Sequence, residues 1–118
     1  MPVDRETLAT QFEDVYAIGD VTAIPLANGM MLPKAGVFAH GEAEVVARNL
    51  AAEVEGGQPR WTFGGQGACF LETGYGKAAY ATGRFFAEPD PAVDLRPPSF
   101  PWHWGKVGFE RMWPWRWF

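Results

Sequence analysis

The chain has 118 residues, of which 47% are hydrophobic and 20% are charged, and its formal net charge is −4. This length allows one modest hydrophobic core, and the composition is that of a globular protein rather than of a disordered chain. The acidic charge argues against nucleic-acid binding, because no overall basic field is available to neutralise phosphates, and we expect no nucleic-acid partner.

Targeting signals and metal-binding residues are sparse in this sequence. No apolar run approaches the length of a membrane span, and the first residues, MPVDRETLATQ, contain no hydrophobic signal core. We therefore expect a cytoplasmic protein whose contact with a membrane is at most peripheral. A single Cys69 excludes an internal disulfide. The two histidines, His40 and His103, are too few for a zinc triad, so we expect no metal.

The first element in chain order is a short apolar strand at residues 15–18, which runs directly into Gly19-Asp20. Glycine and aspartate are favoured in turns where strands stop. The carboxyl edge of a sheet is also where open α/β folds bind their ligands. These residues alone favour the turn. A loop rich in Gly, Pro and Met follows at residues 25–33.

The clearest helix is predicted from Lys34 or Ala35 to about Val54. Apolar residues at helical spacing define its predicted buried face: Ala39, Ala43, Val46, Leu50 and Val54. A glycine pair directly after this segment is expected to end the helix.

Residues 61–89 predict a β-hairpin with arms at Ala68–Thr73 and Lys77–Phe86, preceded by a short strand near Trp61. In the first arm Phe70 and Glu72 share one face, whereas Cys69 lies on the other. Glu72 and Lys77 flank the turn, where they could pair across it. The proline-rich residues 90–99 are predicted to be a connector.

The C-terminal segment FPWHWGKVGFERMWPWRWF holds five of the six tryptophans. Ser99 can cap a helix with Pro101 at its second position, and Pro114 is expected to break that helix. One face of this helix would carry Trp102, Lys106, Phe109 and Trp113. Two interpretations remain open: aromatic packing onto a small sheet, or an interfacial surface for a membrane or a partner.

Together these elements predict an α+β fold: a helix after a short strand, a small antiparallel hairpin sheet and an aromatic-rich C-terminal helix. The phosphate-binding motifs are incomplete. The segment at residues 64–67 does not have GxGxxG spacing, and Ala78 stands where a phosphate loop requires Ser or Thr. No complete catalytic constellation is present in the sequence.

The N-terminal segment VDRETLATQFEDVYAIGD resembles the second flavin-binding signature of the FAD-dependent pyridine nucleotide-disulphide oxidoreductases. The segment LPKAGVFAHGEAEVVARNLAAEV is similar to the helix that follows this signature. Two later segments, GACFLETGYGKAAYATGRFFAEP and WHWGKVGFERMWPWRWF, resemble the C-terminal region of the sulfide:quinone oxidoreductase branch. The resemblance implies a parent protein that passes electrons from a reduced substrate, with sulfide as a candidate, through FAD to a quinone.

This resemblance also implies how the chain is divided. Residues 1–57 correspond to the C-terminal end of the FAD-binding domain, and residues 58–118 to a hairpin-plus-helix domain on the interface and quinone side. The family's N-terminal dinucleotide-binding parts, including GxGxxG, have no counterpart in this sequence. We therefore expect a fragment that is inactive by itself, binds FAD weakly or not at all, and forms a homo-oligomer through apolar area that the parent buries.

The resemblance assigns cofactor-binding roles to five residues. Gly19 would let the backbone approach the flavin, and Asp20 would accept hydrogen bonds from ribityl hydroxyls. Ala35 and Gly36 would begin the helix whose free N–H groups face the pyrimidine edge of the flavin, where negative charge appears on reduction. Lys34 is a weaker candidate for stabilising the same charge.

It also assigns catalytic roles to Cys69 and Lys106. Cys69 resembles the third cysteine of the sulfide:quinone oxidoreductases, which takes up sulfide sulfur together with an upstream cysteine. This chain has no partner cysteine, so we expect no redox function in it, and a lone cysteine in a strand is commonly a small core residue. Lys106 matches a family lysine that would stabilise reduced flavin or a quinone oxyanion; the alternative is a solvated surface lysine.

Three alternatives remain open. A type II NADH:quinone reductase relative would share the flavin signature without requiring Cys69. The flavin subunit of a flavocytochrome sulfide dehydrogenase would be periplasmic and would have a haem partner. A non-catalytic module would dimerise through its aromatic surface.

Overall fold

The computed structural model describes residues 1–117, with side chains through Arg116. Two α-helices and a three-stranded antiparallel sheet of order β1-β2-β3 make up its regular structure. The elements in chain order are α1 at Gly36–Val54, β1 at Gln66–Gly74, β2 at Lys77–Arg84, β3 at Ala92–Ser99 and α2 at Phe100–Trp117. The predicted α+β class is confirmed.

Two compact units divide the chain. The first unit combines Met1–Gly67 with Arg84–Ala92, and the second combines Ala68–Gly83 with the chain from Val93 onward. The division into functional domains at residue 57 stays a prediction.

The N-terminal part of the first unit is held together by isolated bridges: Pro2–Ala23, Ala9–Tyr16 and Pro25–Met31. The strand predicted at residues 15–18 is present only as the bridge of Tyr16 to Ala9. Its extension is limited on both sides, because Asp14 has a φ of 58° and a 3-10 helix begins at Gly19. The chain therefore enters the Gly19-Asp20 segment from a short extended stretch.

The core of the first unit is aliphatic and aromatic. Leu8 and Ile24 are completely buried. The other buried members of the cluster are Leu26, Leu32, Phe38, Val45 and Phe63. Phe38 makes an edge-to-face contact with Phe85, with ring centroids 4.9 Å apart, which is a favourable geometry for two aromatic rings. This core anchors the inner face of α1.

Helix α1 begins one or two residues later than predicted and ends at Val54 as predicted, but the predicted apolar stripe is not its most buried face. The buried residues are Phe38, Glu42, Val45 and Asn49. Of the predicted stripe, Leu50 is 40% exposed and Val54 is 88% exposed. Two polar residues occupy buried positions because each bonds to backbone groups of another segment, and an apolar pattern could not reveal those partners.

The second unit contains the predicted hairpin, and its strands agree with the predicted arms within two residues. The segment expected to be a connector is instead strand β3, which is an edge strand next to β2. Pro97 and Pro98 lack N–H groups, and an edge strand tolerates prolines because one of its sides needs no ladder partner. Trp61 lies in an irregular segment, so the strand predicted there is wrong.

Helix α2 packs against the sheet of its own unit through the predicted face. The ring of Phe70 lies 6.4 Å from that of Trp102 and 6.3 Å from that of Phe109, measured between centroids. Trp102 also stacks on Tyr80 at 4.7 Å. The helix begins after Ser99 as expected but continues through Pro114, so the predicted break is wrong. A proline removes one helical N–H bond and disturbs the preceding turn without forcing the helix to end there.

Glu72 pairs with His103 and Lys106 of α2, while Lys77 lies over the Phe100 ring at 5.2 Å. The Glu72–Lys77 pair that the sequence allows is not formed. Neither helix in the described part of the chain is long and apolar enough to cross a membrane.

Candidate functional site

An open depression of about 170 Å³ in the first unit brings together four of the predicted cofactor-binding residues. Its lining includes Gly19, Asp20, Lys34 and Ala35. The depression is a shallow surface feature without an enclosed cavity, so a ligand would lie against it rather than inside it.

Gly19 adopts a backbone conformation that favours glycine. Its φ is +72°, in the left-handed region that residues with a Cβ rarely occupy. A Cβ built at this position would also lie 3.4 Å from the Cβ of Ala39 in α1. The Ala39 contact is of ordinary van der Waals length, so the positive φ is the reason for glycine at this point of the chain.

Two buried residues hold the N–H and the carbonyl of Gly19. Its N–H donates to the carboxylate of Glu42, and its carbonyl accepts from the Thr22 N–H at 3.0 Å and from the Thr22 hydroxyl at 2.9 Å. Glu42 is 1% exposed and Thr22 is 4% exposed. This arrangement fixes the backbone immediately before Asp20.

Sequence reasoning did not identify Glu42 or Thr22 as parts of this site. One signal in the sequence points to Glu42, which lies four residues after Phe38 and three before Val45, in phase with the buried side of α1. A carboxylate at such a position requires a partner, because burying an unpaired charge is costly. No comparable signal marks Thr22.

Opposing influences act on the carboxyl group of Glu42. Its pKa is raised, chiefly by burial and in addition by the nearby Asp20. The Gly19 N–H and the charge of Lys34 counteract this pKa shift by favouring the ionised form. The Lys34 ammonium itself donates to the Thr22 carbonyl. Lys34 thus connects the residues before α1 to Thr22 and also supplies positive charge close to the Glu42 carboxyl group.

The N-terminus of α1 contributes to the same depression. Ala35 is its N-cap residue, with φ −151° and ψ 144°, and within the described chain no side chain bonds to the first-turn N–H groups as a cap. A Cβ added to Gly36 would meet nothing within 4 Å, so the space beside the first turn is open. Free helix N–H groups and the positive end of the helix dipole favour oxygen acceptors and negative charge at this position.

In the second unit, Lys106 belongs to a chain of ionic contacts. Its Nζ lies 2.7 Å from Glu110 Oε1 and 3.4 Å from Glu72 Oε1, and Glu72 Oε1 also lies 3.0 Å from His103 Nδ1. The hydrogen bond to Glu110 is the main cause of the raised pKa of Lys106, and the hydrogen bond to His103 is the main cause of the lowered pKa of Glu72. Lys106 stays charged, but two carboxylates offset its charge.

Cys69 is exposed, so its interpretation as a core residue is wrong. Along β1 it alternates with Phe70 and Glu72, both of which contact α2. Since successive side chains of a strand point to opposite faces, Cys69 lies on the face of the sheet away from α2. The structure therefore does not bring Cys69 and Lys106 together.

Comparison with other proteins adds no family assignment. No family model matches the chain, and no curated protein matches it. Among the residues that the structure describes, no group of three or more His, Cys, Asp or Glu side chains could hold a metal ion.

Proposed function

We propose that the first unit forms part of the FAD site of a flavoprotein oxidoreductase. One observation carries the proposal: Gly19-Asp20 and the Lys34–Ala35 segment, which the flavoprotein resemblance implicates separately, line one depression at the start of α1. The exposed Asp20 carboxylate and Ala35, the N-cap residue of α1, then line the same surface depression. Such a pair suits a ligand that carries hydroxyl groups and also a group that becomes negative.

Each residue has a distinct part in this proposal. The Asp20 carboxylate accepts hydrogen bonds from ribityl hydroxyls, and the N-terminus of α1 receives the pyrimidine edge of the flavin. Because the space beside Gly36 is open, a planar group can approach the first turn closely. Bound FAD would supply the electron-accepting ring, while these residues bind the cofactor, orient it and favour its negatively charged reduced form.

The wider reaction belongs to the same proposal. Electrons would pass from a reduced substrate, with sulfide as the candidate donor, through FAD to a quinone. Other dinucleotide-binding parts would complete the cofactor site, so the chain alone would be inactive and would bind FAD weakly. The protein would be cytoplasmic, with peripheral membrane contact through the tryptophans of α2.

The test is a titration of the complete chain with FAD, followed by flavin fluorescence. We expect a weak but saturable change that Asp20→Ala weakens by roughly tenfold or more, because hydrogen bonds to a charged group contribute about 1.5–3 kcal/mol. Asp90→Ala removes an exposed aspartate from the same unit and is the matched control. A response that is not saturable, or an equal affinity of the Asp20 variant and the unmodified chain, would contradict the proposal.

A further inference from the structure

We infer that Glu42 is a positioning residue, whose buried side chain holds the Gly19 amide and thereby sets the backbone that presents Asp20 to a ligand. The effect on FAD affinity that we expect from this role of Glu42 rests on the proposed FAD function. The contact itself, between Glu42 of α1 and Gly19, which lies 23 residues earlier in the chain, is independent of that function.

The conformational freedom of glycine is the first step of the argument. Glycine populates positive and negative φ with similar ease, so nothing intrinsic to Gly19 selects its φ of +72°. The hydrogen bonds to its N–H and to its carbonyl select this conformation. Thr22 holds only the peptide group that follows Gly19. Removal of the Glu42 carboxyl would therefore free the peptide group that precedes it, so that the φ of Gly19, and with it the direction of Asp20, could change.

The electrostatic surroundings are the second step. Two charged groups act on Glu42: Lys34, just before α1, and Asp20, in the 3-10 helix Gly19–Val21. Lys34 favours the carboxylate, whereas Asp20 and burial favour the neutral acid. A carboxylate accepts a stronger hydrogen bond from an N–H than a neutral acid does. The hold on Gly19 is therefore strongest when Glu42 is ionised.

The sign of the pH dependence follows from the raised pKa of Glu42. The folded chain binds this proton more tightly than the unfolded chain. The contribution of Glu42 to stability is present below the unfolded pKa and is lost as the pH rises through the folded pKa. The hydrogen bond from the Gly19 N–H to Glu42 strengthens over that same pH range. Ionisation of Glu42 therefore holds Gly19 more tightly while it lowers the stability of the folded chain.

The decisive measurement is the amide proton shift of Gly19, followed by NMR on the complete chain from acid to neutral pH. Variants Glu42→Gln, which keeps an acceptor oxygen, and Glu42→Leu, which removes it, are compared with Glu44→Gln at an exposed position of the same helix. We expect the Gly19 amide to titrate in the unmodified chain and in Glu44→Gln, with a midpoint above the ordinary glutamate range, and not to titrate in Glu42→Gln.

Binding of FAD is the second readout. Glu42→Gln should bind within about twofold of the unmodified chain, and Glu42→Leu should lose as much affinity as Asp20→Ala, about tenfold. A Gly19 amide that does not titrate, or that still titrates in Glu42→Gln, overturns the inference, as does a folded Glu42→Leu variant with normal FAD binding. If Glu42→Leu does not fold, the amide titration in the other variants decides. If no variant binds FAD, the proposed function fails, and the inference is then limited to the position of Gly19.

Discussion

At the scale of single residues, Glu42 and Asn49 show the same principle. Each occupies the buried side of α1, and each binds the backbone of another segment. Asn49 donates from Nδ2 to the Trp61 carbonyl at 2.9 Å, and its Oδ1 accepts from the N–H groups of Arg60 and Trp61 at 3.1 and 3.0 Å. One side chain therefore organises the irregular segment that leads from α1 to β1.

Replacing Asn49 by Ala should reduce the free energy of unfolding of the chain by about 2 kcal/mol, because backbone groups in a partly buried setting lose their partners. Urea denaturation followed by circular dichroism measures this change. Gln58→Ala, at an exposed position in the same connection, is the control and should stay within roughly 0.5 kcal/mol of the unmodified chain. Equal stabilities of the two variants would show that Asn49 does not organise the segment.

At the scale of elements, the start of β1 approaches aromatic rings so closely that side chains are excluded. A Cβ on Gly67 would lie 2.5 Å from the ring of Phe38, and a Cβ on Gly65 would lie 2.5 Å from the ring of Phe86. Phe38 belongs to the buried side of α1. The close packing of Phe38 of α1 against the start of β1 therefore requires a glycine at position 67.

We expect Gly67→Ala to lower the stability of the chain by about 1–3 kcal/mol, the usual cost of overpacking a core. Gly64→Ala is a close control, since its Cβ would meet only the Gln66 side chain at 4.0 Å and its φ is not positive. Thermal unfolding of the two variants should separate them clearly. A Gly67 variant as stable as the Gly64 variant would mean that Phe38 moves aside without cost.

At the scale of the whole molecule, the unusual feature is the exposed aromatic area of α2. Trp104 and Trp115 are 67% and 92% exposed. With Arg111 they form what we call the tryptophan surface, because helical spacing places these three positions on the side of α2 away from Trp102 and Phe109. Tryptophan and arginine together suit the depth of lipid headgroups.

The double variant Trp104→Ser with Trp115→Ser should bind vesicles of mixed neutral and anionic lipid at least about tenfold more weakly than the unmodified chain, because two large apolar side chains are lost from the contact. Co-sedimentation with vesicles measures this binding. Tyr75→Asn removes an aromatic residue that is 98% exposed at the hairpin turn and should leave vesicle binding unchanged. The alternative is that the tryptophan surface forms homo-oligomers and does not bind lipid. In that case sedimentation equilibrium will show a lower oligomeric state for the double variant, and co-sedimentation with vesicles will show no difference.

The bounds of α1 and of the β1–β2 hairpin could be predicted because their signals are local. Helical spacing, a terminating glycine pair and the Gly74-Tyr75-Gly76 turn act within a few residues of one another. Strand β3 could not be predicted, since Pro97 and Pro98 are unfavourable in strands and become acceptable only at the edge of a sheet. The position of a strand within its sheet is a tertiary property.

The candidate site divides in the same way. The sequence by itself determined where α1 begins and that a turn follows the short extended stretch at Gly19-Asp20, because helix starts and turn preferences are local features. A ligand role for these residues stays a prediction that rests on the flavoprotein resemblance. Only the tertiary structure decided that Glu42 and Thr22 hold the Gly19 peptide, that Cys69 is exposed, and that carboxylates offset the charge of Lys106. The physical reason is that burial and hydrogen-bond partners depend on segments far apart in the chain, whereas backbone preference depends on near neighbours.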